Sequence, residues 1–185
     1  MADTVQDVAT HLVDEVSSAA RGQADAYLGD QALPLGGFMG AMAVYASVVA
    51  AGAVAVRRKG LPDRIGWSDV ALLSVATHKL SRRVAKDSVT SPLRVPFTRF
   101  VGTGGPAELQ EEVRGSGARK AIGELLSCPF CLGQWVATGL AFGFVLAPRA
   151  TRLVATVFTA AAASDILQFV YVAAEKRAED SPITM

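Results

Sequence analysis

The sequence predicts an all-α fold: an integral membrane helical bundle with three long spans plus one shorter spanning or interfacial helix. Three observations carry this. Residues 31–56 hold no charge across 26 positions, and residues 125–148 hold none across 24. Residues 153–174 form a third run, broken only by Asp165. The chain as a whole is 51% hydrophobic, with a mean hydropathy of +0.32. Crossing the hydrocarbon core takes roughly 20 mostly apolar residues. A soluble helix of that length would show a polar face, and these runs show none.

The length of 185 residues allows one compact domain. Residues 1–33 read as an acidic amphipathic arm. Val5, Val8, Leu12, Val13 and Val16 follow 3/4 spacing, while Asp7, Asp14 and Glu15 lie elsewhere. The first 30 residues carry six acids and one Arg, which is not the pattern of a cleaved signal peptide. Their acids oppose anionic headgroups, so the arm reads as a solvated or partner-binding helix.

The span at 34–56 opens with Pro34, placed where a missing N–H costs least. Gly36 and Gly40 form Gly-x-x-x-Gly, and Ala43, Ser47, Ala51 and Ala55 extend a face of small residues. Such a face permits close helix approach in lipid, although Ala and Gly are frequent enough here to produce it by composition.

Residues 67–174 make the membrane domain. Its first helix, 67–87, is the ambiguous one. Lys79, Arg82, Arg83 and Lys86 are spaced i, i+3, i+4, i+7, a basic stripe on one face. Leu73, Ala76, Leu80 and Val84 make an apolar stripe. Such a helix either spans, with its basic end snorkelling, or lies in the interface. Pro92 and Pro96 stop it from continuing. Residues 88–121 then form a polar cytoplasmic connection with several glycines and room for a short helix at 108–114. A span at roughly 122–147 and another at 151–174 follow, and 175–185 form a cytoplasmic tail.

Charge orients the bundle. With four spans and the N-terminus inside, cytoplasmic segments hold eleven Lys and Arg against six outside. With three spans the ratio is fifteen to three, so charge alone prefers three. Both arrangements place 88–124, the cysteines and the C-terminus in the cytoplasm.

Two separated stretches carry a family resemblance. The first runs from Ala76-Thr-His-Lys-Leu-Ser-Arg-Arg-Val-Ala-Lys-Asp87 through Val89-Thr-Ser-Pro-Leu-Arg94 to Pro96-Phe97. The second is Gly123-Glu-Leu-Leu-Ser-Cys-Pro-Phe-Cys-Leu-Gly-Gln-Trp135. In this order they resemble the small bacterial and phage membrane proteins of the domain of unknown function 1360 family. The match covers roughly 68–172, leaving the arm and the first span outside. Shorter members begin with the helix equivalent to 67–87, which implies that this helix spans and favours four crossings. The implied location is the bacterial cytoplasmic (inner) membrane, multi-pass, with a cytoplasmic C-terminus. The resemblance brings no activity, cofactor or catalytic residue.

Cys128-Pro-Phe-Cys131 is the sharpest chemical feature. A helix N-terminus stabilises a thiolate. The pair could pack as small hydrophobes, hold a metal, or carry redox chemistry. Zinc needs four ligands, and beyond His78 no further donor is evident, so a zinc site would be shared between two chains. At the cytoplasmic edge the thiols are expected to be reduced.

Asp165 lies inside a span, where a carboxylate faces a partner or a cavity. Gln134 and Thr138 are the neighbours expected to bond it. The basic stripe, with Arg94 and Arg99, reads either as positive-inside anchoring or as a contact for anionic lipid headgroups. His11 needs no special role.

A net charge of +1 gives no reason to expect nucleic acid. No phosphate loop, Ser/His/Asp set or cofactor fingerprint is present, so an enzyme is not expected. The function expected is a structural or interaction component with a basic cytoplasmic surface, its partners a second copy of the chain or another membrane protein. A thiol-redox or metal-binding protein, and a small channel or holin-like pore, are the alternatives.

Overall fold

The computed structural model describes residues 2–29, 33–62 and 64–179. The expected tail therefore falls partly outside them, at 180–185. Helix α1, Ala2–Leu28, lies within the expected arm and stops at Gly29, whose left-handed φ of +51° favours glycine. Its Val8, Leu12, Val13 and Val16 are exposed. Helix α2, Leu35–Lys59, follows Pro34 and ends on Gly60 at φ +90°. Arg57, Arg58 and Lys59 in its last turn complement the helix dipole. Helix α3 is Trp67–Lys86, and a single turn, α4, is Ser91–Arg94.

The connection corrects the all-α expectation. Strands β1, Thr98–Thr103, and β2, Leu109–Val113, pair antiparallel with Thr98 opposite Val113 and Thr103 opposite Leu109. The register shifts between Phe100 and Gly102, a bulge at Val101. Residues 108–114, expected as a short helix, instead form a strand. Leu109, Glu111 and Val113 alternate with the more exposed Gln110 and Glu112, a period of two that favours a strand. Arg99 opposite Glu112 adds a cross-strand ion pair at 2.6 Å.

The span expected at 122–147 is two helices, α5 at Gly117–Ser127 and α6 at Pro129–Leu146. The break is at Cys128, because Pro129 has no N–H to continue the ladder and is preorganised to start a new helix. Helix α7 is Pro148–Glu179. Three helices, α2, α6 and α7, are long and apolar enough to cross a membrane.

Side-chain partners fix the helix directions. Asp69, Leu72 and Lys79 of α3 meet Arg152, Thr159 and Asp165 of α7 in ascending order, so these helices are parallel. Tyr45, Gly52 and Lys59 of α2 meet Thr138, Phe142 and Leu146 of α6, again in parallel. Helix α6 turns straight into α7 at Ala147, and Ser81 of α3 lies beside Gly133 near the start of α6. Thus α2 and α6 run one way and α3 and α7 the other. The core between them is Ala76, Leu140 and Ala155, walled by Leu72, Leu73, Val136 and Phe158.

Close approach depends on glycines other than the expected pair. Gly36 and Gly40 face open space, and Ala43, Ser47 and Ala51 are exposed with them. The packed face of α2 is Gly37, Ala41, Tyr45, Val49, Gly52 and Val56. A Cβ on Gly37 would lie 2.6 Å from Ala121 Cβ and 2.9 Å from the Gly117 carbonyl oxygen. Within the chain, the Gly-x-x-x-Gly face is thus not the contact face.

The connection folds around Arg94, whose side chain is fully buried. Its guanidinium donates to the Val84 carbonyl, to the Asp87 carbonyl at 3.0 Å and to Thr90 Oγ1 at 2.9 Å. It also grips Glu111 of β2 with two nitrogens. Arg114 and Arg119 then donate to the carbonyls of Val95 and Pro96, fastening α5 to the same unit. Together α4, the hairpin and α5 form a platform at the end of the bundle where α3 finishes and α6 begins.

Gly37→Ala should lose about 1–3 kcal/mol, because α2 and α5 must separate. Gly40→Ala should gain up to about 1 kcal/mol from helix propensity alone. Thermal unfolding of the purified variants reads both. Arg94→Met should cost about 3–5 kcal/mol by stranding Glu111, and Arg94→Met/Glu111→Leu should recover part of it.

Candidate functional site

At the start of α6, Cys128 is the N-cap, with non-helical φ −101° and ψ 106°. Its Sγ accepts the Cys131 backbone N–H at 3.2 Å. Cys128 is half-buried and Cys131 exposed, both free thiols. Burial pushes the Cys128 thiol up. Hydrogen bonds from the Cys131 thiol and from the backbone N–H groups of Cys131 and Phe130, with the field of Lys86, outweigh it and leave the thiol below its ordinary value.

The two residues between the thiols, Pro129 and Phe130, form one lip of a cleft of about 240 Å³. The opposite wall is the polar face of α3: Ser74, Thr77, His78, Ser81 and Arg82. Phe130, between the two thiols in sequence, is 90% exposed. No group of three or more His, Cys, Asp or Glu converges among the described residues. Among the described residues the pair therefore lacks the further donors that a four-coordinate zinc takes.

Asp165 has a different partner from the one expected. It pairs with Lys79 of α3. Gln134 and Thr138 instead bond the Tyr45 hydroxyl of α2, each at 2.8 Å. Trp135 packs edge-on against the same Tyr45 ring, with centroids 5.1 Å apart. A second charged link between α3 and α7 joins Asp69 to Arg152 at 3.2 Å, and Arg152 also lies over the Phe144 ring at 4.9 Å.

The basic stripe is divided among separate acids. Lys79 goes to Asp165, Arg82 to Glu108 and Arg83 to Asp87. Lys86 faces a shallow hollow lined by Val101, Gln110, Glu111 and Glu112. Arg94 and Arg99 pair with Glu111 and Glu112. A helical wheel gives the stripe and its i,i+4 partner Asp87, but not Asp165 of α7, Glu108 just ahead of β2, or Glu111 and Glu112 of β2. Tyr45 and Glu111 were missed for the same reason. The available signals were a hydroxyl inside an uncharged run and a carboxylate at an inward strand position.

The comparisons agree with this geometry in extent. One relative is the sporulation protein YjcA of Bacillus subtilis (strain 168), 31% identical over 102 residues that cover 54% of this chain and 86% of the relative. Another, from the same organism, is UPF0713 protein YngL, 27% identical over 109 residues covering 57% and 80%. No solved structure matches the chain. The family described as "Protein of unknown function (DUF1360)" matches residues 72–171, from the first turns of α3 through most of α7. The chain belongs to this DUF1360 family.

Proposed function

We propose that the chain is a four-crossing protein of the bacterial cytoplasmic membrane that holds its platform on the cytoplasmic side as a docking surface. The observation that carries this reading is where the apolar side chains lie. Only 6% of the apolar window of α2, and 11% of those of α6 and α7, is buried. In water so much outward apolar surface would drive association; in a bilayer it is the solvated face. Trp67, 88% exposed, and the exposed Tyr171 stand toward opposite ends of the bundle, as interfacial aromatics do.

Helix direction supports four crossings rather than three. Since α2 and α6 run parallel, the chain must return between them. Helix α3 makes that return, packed along α6 and α7 rather than flat beneath them. Its 20 residues reach about 30 Å, the thickness of the hydrocarbon core. Its charges are tolerable there because Lys79 is neutralised by Asp165 and Arg152 by Asp69 near the opposite surface. The platform end also carries the larger share of Lys and Arg, which orients it inward. Exposed Val89, Leu93, Val95 and Phe100 on that unit offer apolar purchase to a partner protein.

Leu61→Cys, placed between α2 and α3, should react with an impermeant maleimide in intact cells. Labelling only after lysis would favour three crossings. Asp165→Asn strands the Lys79 ammonium and should lower the melting temperature in detergent, a loss of about 1 kcal/mol for this part-exposed pair. Asp165→Leu/Lys79→Met should be more stable than either single variant.

A further inference from the structure

Cys128 and Cys131 are positioned for more than packing. Cys131 is exposed, so it fills no core, and among the described residues no third donor joins the pair as a metal site would require. Residues three apart on a regular helix hold their Cβ atoms about 5–6 Å apart, wider than the roughly 3.5–4.5 Å of a disulfide. The extended backbone at Cys128 relieves this by turning its Sγ back over the first turn, onto the Cys131 N–H at 3.2 Å. The same contact puts that sulfur at the positive end of an 18-residue helix.

We propose that Cys128 and Cys131 form a dithiol/disulfide centre that exchanges two electrons with a low-molecular-weight disulfide. Cys128 attacks as the thiolate. It forms a bond to one sulfur of the incoming disulfide, the S–S bond of that molecule breaks, and the leaving thiolate takes a proton from water. Cys131, giving its proton to solvent, then attacks Cys128 Sγ. The Cys128–Cys131 bond forms, and the second small thiolate leaves and is protonated. The dithiol has been oxidised and one disulfide reduced to two thiols. The sequence reverses when the small thiol is in excess.

The experiment uses the full-length protein in detergent with metal chelated, equilibrated against mixtures of reduced and oxidised glutathione. Acid quenching, alkylation and intact-mass measurement then read its state. The expected result is a population with no alkyl groups and no adduct, the internal disulfide, growing as the mixture becomes more oxidising. Cys131→Ser should accumulate one glutathione on Cys128. Peptide mapping of the unmutated protein at early times should find the first adduct on Cys128 at least tenfold more often than on Cys131, a readout that needs no variant to fold. Two thiols that stay fully alkylatable across the whole range would overturn the proposal. So would equal early adduct formation on both, or adducts that persist on both without an internal disulfide.

Discussion

The Arg94 guanidinium is the constraint on which the two halves of the molecule depend. Helix α3 ends with carbonyls that have no helical partner, and the hairpin brings an inward carboxylate toward them. A single planar cation satisfies both. It reads Val84 and Asp87 from the helix end, Thr90 from the turn and Glu111 from the strand. Lysine would fit poorly here, because a compact ammonium cannot spread parallel donors over a carboxylate and still reach separate carbonyls. With this hub in place, the platform stands on the end of the bundle as a fixed continuation of α3, and α5 delivers α6 to a defined starting point.

Much of the helical frame was legible in the sequence because a long uncharged run has few physical outcomes. The runs at 31–56, 125–148 and 153–174 became α2, α6 and α7, and the start of 67–87 was read correctly. The connection was less legible. Strands of five and six residues carry too little periodicity to compete with the glycines around them, and pairing is a non-local event. The break before Pro129 was written in the sequence, but an uncharged run masks it.

Charge partners were the hardest to read. The basic face of α3 is plain at i, i+3, i+4 and i+7, yet Arg82 and Lys79 are held by acids 26 and 86 positions away, Glu108 and Asp165. Asp165 was correctly expected to need a neighbour. The neighbour turned out to be the cation already assigned to the stripe, while Gln134 and Thr138 were occupied by Tyr45. The small-residue face shows the same limit from another side: spacing identifies a face, and only the packing chooses between Gly36 and Gly37. The cysteine pair was legible in position and spacing, and its contact with the α6 N-terminus followed from Pro129.

The direction of α2 has a further consequence. The family match begins inside α3, so the shared unit is α3, the platform, α6 and α7, with α2 laid against it from outside. Each added antiparallel helix reverses the end of the bundle at which the chain enters. A chain starting at α3 would present its N-terminus on the face away from the platform. One extra helix changes that parity: α2 starts at the platform end, where Gly37 meets Ala121 of α5, on the face where the hairpin, the thiols and the end of α7 already stand. By this count α2 is an inverter as much as a packing element: it moves the entry into the bundle to the end where the platform stands.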